Sequence, residues 1–275
     1  MVNPALSPSQ STWFPLTRWF FVTLAQKSQG MFWTIGTAVN YSRTLIPCLL
    51  KGRVSFKHLF GQTAFIGVDA LGIALVMTTF AGMVIALQIS KEMVKQGAGN
   101  YVGALVAMAT LRELAPIMTA VAVISMVGSA YAAELSTMQI TKQIDAMRTL
   151  HVSPLRYLVL PRLLAGIVAL PLMTVITTIS GILGGMVVSN LLADIHPGVY
   201  LDSVWQQVEY KDVFSTLTKS VVFGYLIVVL SATIGLNTKG GAKEVGTATT
   251  QAVVWSFLAI AVFDYILTYL FYGSM

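Results

Sequence analysis

Residues 132–154 read AAELSTMQITKQIDAMRTLHVSP, a charged stretch of mostly helix-favouring residues between two long apolar runs. Ile140, Ile144 and Met147 recur at i, i+4 and i+7, which places them on one face of a helix. Pro154 ends that helix, because the residue before a proline is pushed out of the α region and a proline suits the first turn of the next helix. The pattern predicts a short amphipathic helix at a water-exposed surface, where a soluble partner can bind.

The composition is that of an integral membrane protein. Of the 275 residues, 56% are hydrophobic and only 10% are charged, and the mean hydropathy is +0.75. Soluble domains carry about 25% charged residues. The single cysteine, Cys48, rules out an internal disulfide.

Five apolar runs are long enough to cross a membrane, since a helix needs about 20 residues to span about 30 Å of hydrocarbon. Four of them are nearly free of charge, and the second is apolar apart from two adjacent charged residues. The runs cover residues 64–89, 101–131, 157–192, 213–236 and 252–272. The sequence therefore predicts an all-α integral membrane protein with five transmembrane helices.

The N-terminal part has a different character. Aromatic residues such as Trp13 and Trp19 stand near Arg18 and Lys27, a mixture that favours the headgroup region. We therefore expect residues 1–60 to form a cytoplasmic, interfacial helical segment, followed by a five-span domain over residues 61–275. Residues 31–50 are mildly apolar and leave a sixth span as the alternative.

The distribution of basic residues predicts the orientation, because cytoplasmic loops carry an excess of Lys and Arg. Six basic residues and no acidic residue precede residue 58, and the loop around 132–161 is also basic. The loop near residues 194–212 is dominated by acids. We expect a cytoplasmic N-terminus, a cytoplasmic amphipathic loop and a periplasmic C-terminus. The absence of an Arg/Ser-rich transit region favours a bacterial inner membrane.

The sequence shows no catalytic or metal-binding cluster. Its three histidines lie in different loops without HxxxH or HExxH spacing, and neither a GxSxG elbow nor a GxxxxGK[ST] phosphate loop is present. We expect a non-catalytic protein without a metal or cofactor, so that any nucleotide chemistry belongs to another chain. Anionic lipid headgroups account for the net charge of +6 without nucleic acid.

Four charged residues lie inside the apolar runs: Arg112, Glu113, Lys219 and Asp264. A charge at the centre of a membrane helix costs about 2.5–3.5 kcal/mol on insertion scales, so such residues face protein or a water-filled cavity. From the predicted topology they lie roughly 9 to 17 Å below the outer surface. They either line a cavity that opens outward and receives a charged headgroup, or form structural ion pairs such as Lys219 with Asp264.

Several motifs carry a resemblance to a known family. They are LRELAP (111–116), AELSTM (133–138), QIDAMR (143–148) and PLRYLVLPR (154–162). With them the chain resembles the MlaE/YrbE permeases of ABC-type lipid transporters, over nearly everything after about residue 60. Two positions depart from the usual pattern: Ala115 stands where Gly is commoner, and Lys142 where Glu is commoner.

The resemblance implies a homodimer with five spans and a preceding interfacial helix. It also implies two cytoplasmic ATPase subunits, which bind ATP and dock on a coupling helix at about 132–150, and an MCE-domain lipid-binding protein on the outer side. The implied lipid-pathway residues are Ile85, Met93, Arg112, Glu113, Lys219 and Asp264. The residues expected to couple to the ATPase are Glu134, Met138, Ile140, Gln143, Ile144, Asp145, Met147 and Arg148.

The leading hypothesis is therefore a permease subunit that moves phospholipid between the inner membrane and the MCE partner. One alternative is a proton-coupled secondary transporter with Glu113 and Asp264 as proton carriers, although the inverted repeats typical of that class are not evident. A passive membrane anchor is a third class, but it would need no buried charges.

Overall fold

The computed structural model describes residues 34–47 and 56–273. Five of its helices are long and apolar enough to cross a membrane. We number them spans 1 to 5: Leu59–Lys95, Gly99–Ile140, Leu155–Ala193, Tyr210–Leu236 and Ala242–Tyr272. Each of the five apolar runs lies inside one of these helices, so the prediction of an all-α membrane protein with five spans is confirmed.

The regular structure in the described ranges is helical. In chain order the α-helices are α1 (34–47), α2 (Phe56–Lys95), α3 (Val102–Ala109), α4 (Ala115–Val123), α5 (Ser129–Ile140), α6 (Gln143–Thr149), α7 (Leu160–Ala193), α8 (Pro197–Gln207), α9 (Tyr210–Leu236) and α10 (Ala242–Tyr272). A 3₁₀ turn, Gly99–Tyr101, precedes α3. Three π-helical turns cover Thr110–Leu114, Ile124–Gly128 and Leu155–Val159.

Only part of the predicted N-terminal segment falls within the described residues. Helix α1 covers the middle of residues 31–50, and its described part is shorter than the roughly 20 residues of a span. Ala38 and Leu45 pack into the main apolar core, and Asn237 donates a hydrogen bond to the hydroxyl of Tyr41 over 3.3 Å. The aromatic residues around Trp13 and Trp19 lie outside the described residues.

Close packing of the spans depends on glycines at helix crossings. A Cβ on Gly82 of α2 would collide with the backbone of Gly181 in α7, and a Cβ on Gly224 of α9 would collide with the backbone of Gly166 in α7. Helix backbones can approach this closely only where a side chain is missing. The seam between α2 and α7 also carries hydroxyl pairs, such as Ser90 with Ser189 at 3.0 Å.

Span 2 is divided into three α-helical pieces by two π-helical turns. Its first piece is α3, its middle piece is α4, and its last piece is α5. We name the end of the bundle at α3 the outer end and the end at α5 the inner end, after the orientation that the basic residues predict. Extra turns of this kind inside a helix bend it and often mark functional positions. Pro116 lies in the first turn of α4, directly after the first π-helical turn.

The amphipathic segment differs from the single helix expected over 132–150. Helix α5 continues span 2 as far as Ile140, and α6 begins only at Gln143. Between them Lys142 has φ 65°, a left-handed conformation that interrupts an α-helix of L-residues. The apolar stripe in the sequence did not reveal this break, because Ile144 lies four residues after Ile140 and continues the helical spacing across it. Ile144 is also fully buried.

Candidate functional site

Three of the four predicted membrane charges form one network around Lys219. The Lys219 Nζ lies 2.8 Å from Glu113 Oε2, 2.8 Å from Asp264 Oδ1 and 2.8 Å from the carbonyl oxygen of Arg112. Glu113 also accepts a 3.1 Å hydrogen bond from Thr268 Oγ1. The network joins spans 2, 4 and 5, and the structural ion pair foreseen between Lys219 and Asp264 is present.

The π-helical turn explains why a backbone carbonyl belongs to this network. Pro116 has no N–H to donate to the carbonyl of Arg112, four residues earlier. The N–H of Ala115 bonds to Thr110, so the carbonyl of Leu111 loses its α-helical donor as well. Helix α9 supplies both missing donors: Lys219 Nζ bonds to the Arg112 oxygen, and Thr216 Oγ1 bonds to the Leu111 oxygen over 2.6 Å.

Arg112 has partners different from those of Glu113, because neighbouring residues on a helix point in different directions. Its Nε lies 2.8 Å from Oδ1 of Asp212, and its guanidinium lies 4.4 Å from the ring centroid of Tyr272. Tyr272 in turn donates a 2.8 Å hydrogen bond to Asp212. Arg112 and Tyr272 thus form a second, smaller cluster with Asp212 at the outer ends of spans 4 and 5.

Asp212 was not predicted as a site residue, because it lies in an acidic segment that the sequence predicts to be an outer loop. It belongs to the capping box of α9, in which Glu209 and Asp212 bond to each other's backbone N–H. Its spacing to Thr216 and Lys219 on the same helix face was the available signal, since positions i, i+4 and i+7 align. The Asp212 side chain is only 1% exposed.

Accessibility distinguishes the two basic residues. The Lys219 side chain is fully buried, whereas those of Arg112 and Glu113 are 32% and 36% exposed. Of the two basic side chains, Arg112 is therefore the one that a solute can reach, whereas Lys219 is enclosed by its partners among the described residues. The two clusters together hold two basic side chains and three carboxylates.

Ile85 and Met93 lie in a different place from the charges. Both pack against an outer apolar cluster that includes Ala86, Val102 and Tyr200, on α2, α3 and α8. Apolar side chains there offer contact area without hydrogen bonds. The predicted lipid-pathway residues thus fall into an ionic group at spans 2, 4 and 5 and an apolar group under α8.

At the inner end of the spans, Glu134 pairs with Arg162. The Arg162 Nη2 donates to Glu134 Oε1 over 2.5 Å, and its guanidinium lies 4.8 Å from the ring centroid of Tyr131. Tyr131 donates a 2.8 Å hydrogen bond to Gln62, and its ring stacks on Phe65 at 6.0 Å. These contacts together connect spans 1, 2 and 3, and no role beyond its motif was predicted for Arg162 from the sequence.

The other residues that we expect to couple to the ATPase differ in how far their side chains are exposed. Gln143 and Arg148 are exposed on α6, whereas Ile144 is fully buried and Met138 packs against the main core. Ile140 and Met147 are half-buried. Asp145 lies 3.4 Å from Lys142 and 3.6 Å from Arg148 in surface ion pairs. The arrangement anchors α6 by its apolar side and leaves a polar side free.

A family model described as Permease MlaE matches residues 59–270, which include every charged residue of the two ionic clusters and all of α6. The chain belongs to the MlaE permease family. It is a multi-pass membrane protein of the ABC transporter permease type, and such a permease works with an ATPase partner.

Curated relatives cover most of the permease. A probable ABC transporter permease protein of Synechocystis sp. is 40% identical over 82% of the chain and 85% of its own length. A probable ABC transporter permease protein of Rickettsia prowazekii is 36% identical over 87% of the chain and 92% of its own. The chloroplastic protein TRIGALACTOSYLDIACYLGLYCEROL 1 of Arabidopsis thaliana is 33% identical over 97% of the chain and 74% of its own.

Proposed function

We propose that this permease moves phospholipid between the inner membrane and an MCE-type lipid-binding partner, driven by separate ATPase subunits. The observation that carries the proposal is the layout of span 2. One helix, Gly99–Ile140, holds Arg112 and Glu113 within the membrane and Glu134 at its inner end. A push on the inner end can therefore reach the ionic site through a single element.

In this proposal the phosphate of the lipid contacts Arg112, the more accessible of the two basic side chains. A guanidinium carries five N–H donors, so it can bind phosphate while Nε stays near Asp212. The acyl chains contact the apolar residues near Ile85 and Met93, and each buried CH₂ contributes about 0.8 kcal/mol. Lys219 holds Glu113 and Asp264 in place rather than binding the lipid.

The mechanical step follows from the hydrogen bonds between spans 2 and 4. Closure of the ATPase subunits would push on α5 and α6, and span 2 would bend at its π-helical turns. Thr216 and Lys219 of α9 donate hydrogen bonds to the first of these turns, so α9 would move with it. The outer site would narrow and release the lipid.

The proposed assembly is a homodimer with two ATPase subunits at residues 132–150 and the MCE partner on the outer side. Residues 1–60 would form the interfacial segment and 61–275 the permease domain, with a cytoplasmic N-terminus and a periplasmic C-terminus. The name of the Arabidopsis relative is that of a glycolipid, which supports a lipid substrate.

A second candidate is proton-coupled transport through Glu113 and Asp264. The observation that favours it is that two carboxylates, Glu113 and Asp264, share the single buried cation Lys219 within the membrane. A buried excess carboxylate is more stable protonated than charged.

The test is transfer of a fluorescent phospholipid by the complete complex in proteoliposomes. Arg112→Ala and Glu113→Ala should each lower the transfer rate about tenfold, because a charge-assisted contact is lost, while the complex still assembles. Lys95→Ala is the matched control, since its side chain is exposed and pairs only with Glu92 at 3.8 Å.

Normal transfer by both variants would remove Arg112 and Glu113 from the mechanism. Transfer that continues without ATP and stops when the proton gradient is dissipated would favour the second candidate instead.

A further inference from the structure

An apolar cavity of about 340 Å³ lies on the outer half of the bundle, apart from the ionic clusters. Its walls come from α7, α8, α9 and the first π-helical turn. Every lining residue is apolar or aromatic except Thr178 and Thr216. The cavity thus differs in chemistry from the ionic site, which carries five charged side chains.

Neither threonine can offer its hydroxyl proton to an occupant. Thr178 Oγ1 donates to the carbonyl of Thr174 over 2.7 Å, and Thr216 Oγ1 donates to the carbonyl of Leu111 over 2.6 Å. A hydrogen-bond acceptor that enters, such as an ester carbonyl, would therefore lose its hydrogen bonds to water without replacement, which costs free energy. An occupant without polar groups fits this lining.

The open side of the cavity faces away from the bundle. Val175, Ile179 and Leu183 recur every four residues along α7, and each is about half exposed. Trp205, 81% exposed on α8, stands at the outer rim. Tryptophan is enriched at the boundary between headgroups and acyl chains, so the cavity extends from that boundary into the hydrocarbon layer.

The floor of the cavity includes two residues that hold the first π-helical turn. Leu111 and Thr216 both line it, and their hydrogen bond is one of the two that hold the first π-helical turn next to Arg112 and Lys219. An occupant would press on that turn at Leu111, next to Arg112.

We propose that this cavity binds one acyl chain of a membrane lipid, which enters from the bilayer between α7 and α9 and braces the first π-helical turn. The inference rests on the proposed function only in taking the membrane as the protein's medium and a lipid as its ligand. It adds a second lipid contact, distinct from the phosphate contact at Arg112.

The test uses a phospholipid with a photoactivatable diazirine in the middle of its acyl chain, in nanodiscs with the complete complex and without ATP. Mass spectrometry should locate the label on Ile179, Leu183 and the facing part of α9, at least about fivefold above Ile176, which is exposed elsewhere on α7. Ile179→Trp fills the cavity and should lower the label on α9 by about the same factor.

Ile176→Trp is the matched control, because Ile176 is exposed on α7 but does not line the cavity, and it should leave the label on α9 unchanged. If Ile179→Trp fails to fold, Leu183→Trp on the next turn gives the same comparison. Equal labelling of Ile176 and of the cavity residues of α7, unaffected by either variant, would show annular lipid only and overturn the proposal.

A cross-link from a photoreactive amino acid at position 179 to another protein chain, with no lipid label, would also overturn it. Because labelling needs neither ATP nor transfer, its outcome is independent of the transfer assay with Arg112→Ala. A parent complex that transfers no phospholipid, with the labelling intact, would disprove the proposed function while leaving the cavity site in place.

Discussion

The outer ionic site and the inner Glu134–Arg162 pair both bury a cation, but they differ in how completely it is enclosed. Lys219 is fully buried and has three oxygen partners at 2.8 Å, two of them carboxylates. Arg162 is 6% exposed, but its acidic partner Glu134 is 54% exposed. The outer cation Lys219 is enclosed by the spans, although Glu113 reaches the surface, whereas the carboxylate of the inner pair is open to water or a partner.

This difference follows from the surroundings of each pair. In the membrane interior no water is available to solvate a lysine, so its N–H groups must bond to oxygen atoms on neighbouring spans. At the inner surface water solvates Glu134, and the ring of Tyr131 covers one face of the guanidinium. An enclosed site keeps a fixed geometry, whereas an open pair can be rearranged when a partner docks.

The largest expected effect is that of Lys219→Met. The variant leaves Glu113 and Asp264 without their shared cation, and breaking a buried ion pair in this way costs about 3–5 kcal/mol. Thermal unfolding of the permease in detergent should show a marked loss of stability. Lys95→Met, at an exposed position with a 3.8 Å pair, should change the unfolding temperature little.

A triple variant sharpens this prediction. If Glu113→Gln and Asp264→Asn are added to Lys219→Met, the uncompensated charges disappear and much of the stability should return. Equal stability of Lys219→Met and the parent protein would contradict the enclosed character of the outer site.

An intermediate effect is expected for the inner pair. Arg162→Met removes a charged hydrogen bond and a cation–π contact but leaves Glu134 in water, so we expect a loss of about 1.5–3 kcal/mol. The measurement is again thermal unfolding, with Arg148→Met on the exposed side of α6 as the control. The exchange of both charges, Glu134→Arg with Arg162→Glu, should recover part of the loss.

The comparison would break down if Arg162→Met proved as destabilising as Lys219→Met. That outcome would mean that the inner pair is as enclosed as the outer site in the assembled protein.

The smallest effect is expected for the hydrogen bond from Thr216 to the first π-helical turn. Thr216→Val keeps the side-chain shape and leaves the Leu111 carbonyl without its donor, at a cost of about 1–3 kcal/mol for an unsatisfied buried group. Thr218→Val is the matched control, because its hydroxyl is exposed and bonds only to Phe214 of its own helix. Amide hydrogen exchange of residues 110–116 should quicken only in the first variant, and equal exchange in both would contradict the proposed role of Thr216.

The sequence by itself determined the membrane class, the five spans and the presence of charges within them. These features are local: about 20 apolar residues are sufficient for a span, and a charged residue among them is visible at once. The separation of the partners of Arg112 and Glu113 also followed from their adjacency, because neighbouring residues on a helix point in different directions. The motifs then indicated the family that the match over residues 59–270 confirmed.

Only the tertiary structure decided which charges meet and which is accessible. Asp212 lies 100 positions after Arg112 in the sequence, and Arg162 follows Glu134 across a change of span, so no local spacing pairs them. The π-helical turn before Pro116 likewise depends on donors from α9, a helix more than 90 residues later. Apolar periodicity shows which face of a helix is buried. It does not show which distant side chain completes a hydrogen bond, and that distant partner decides whether a buried cation is enclosed or open to water.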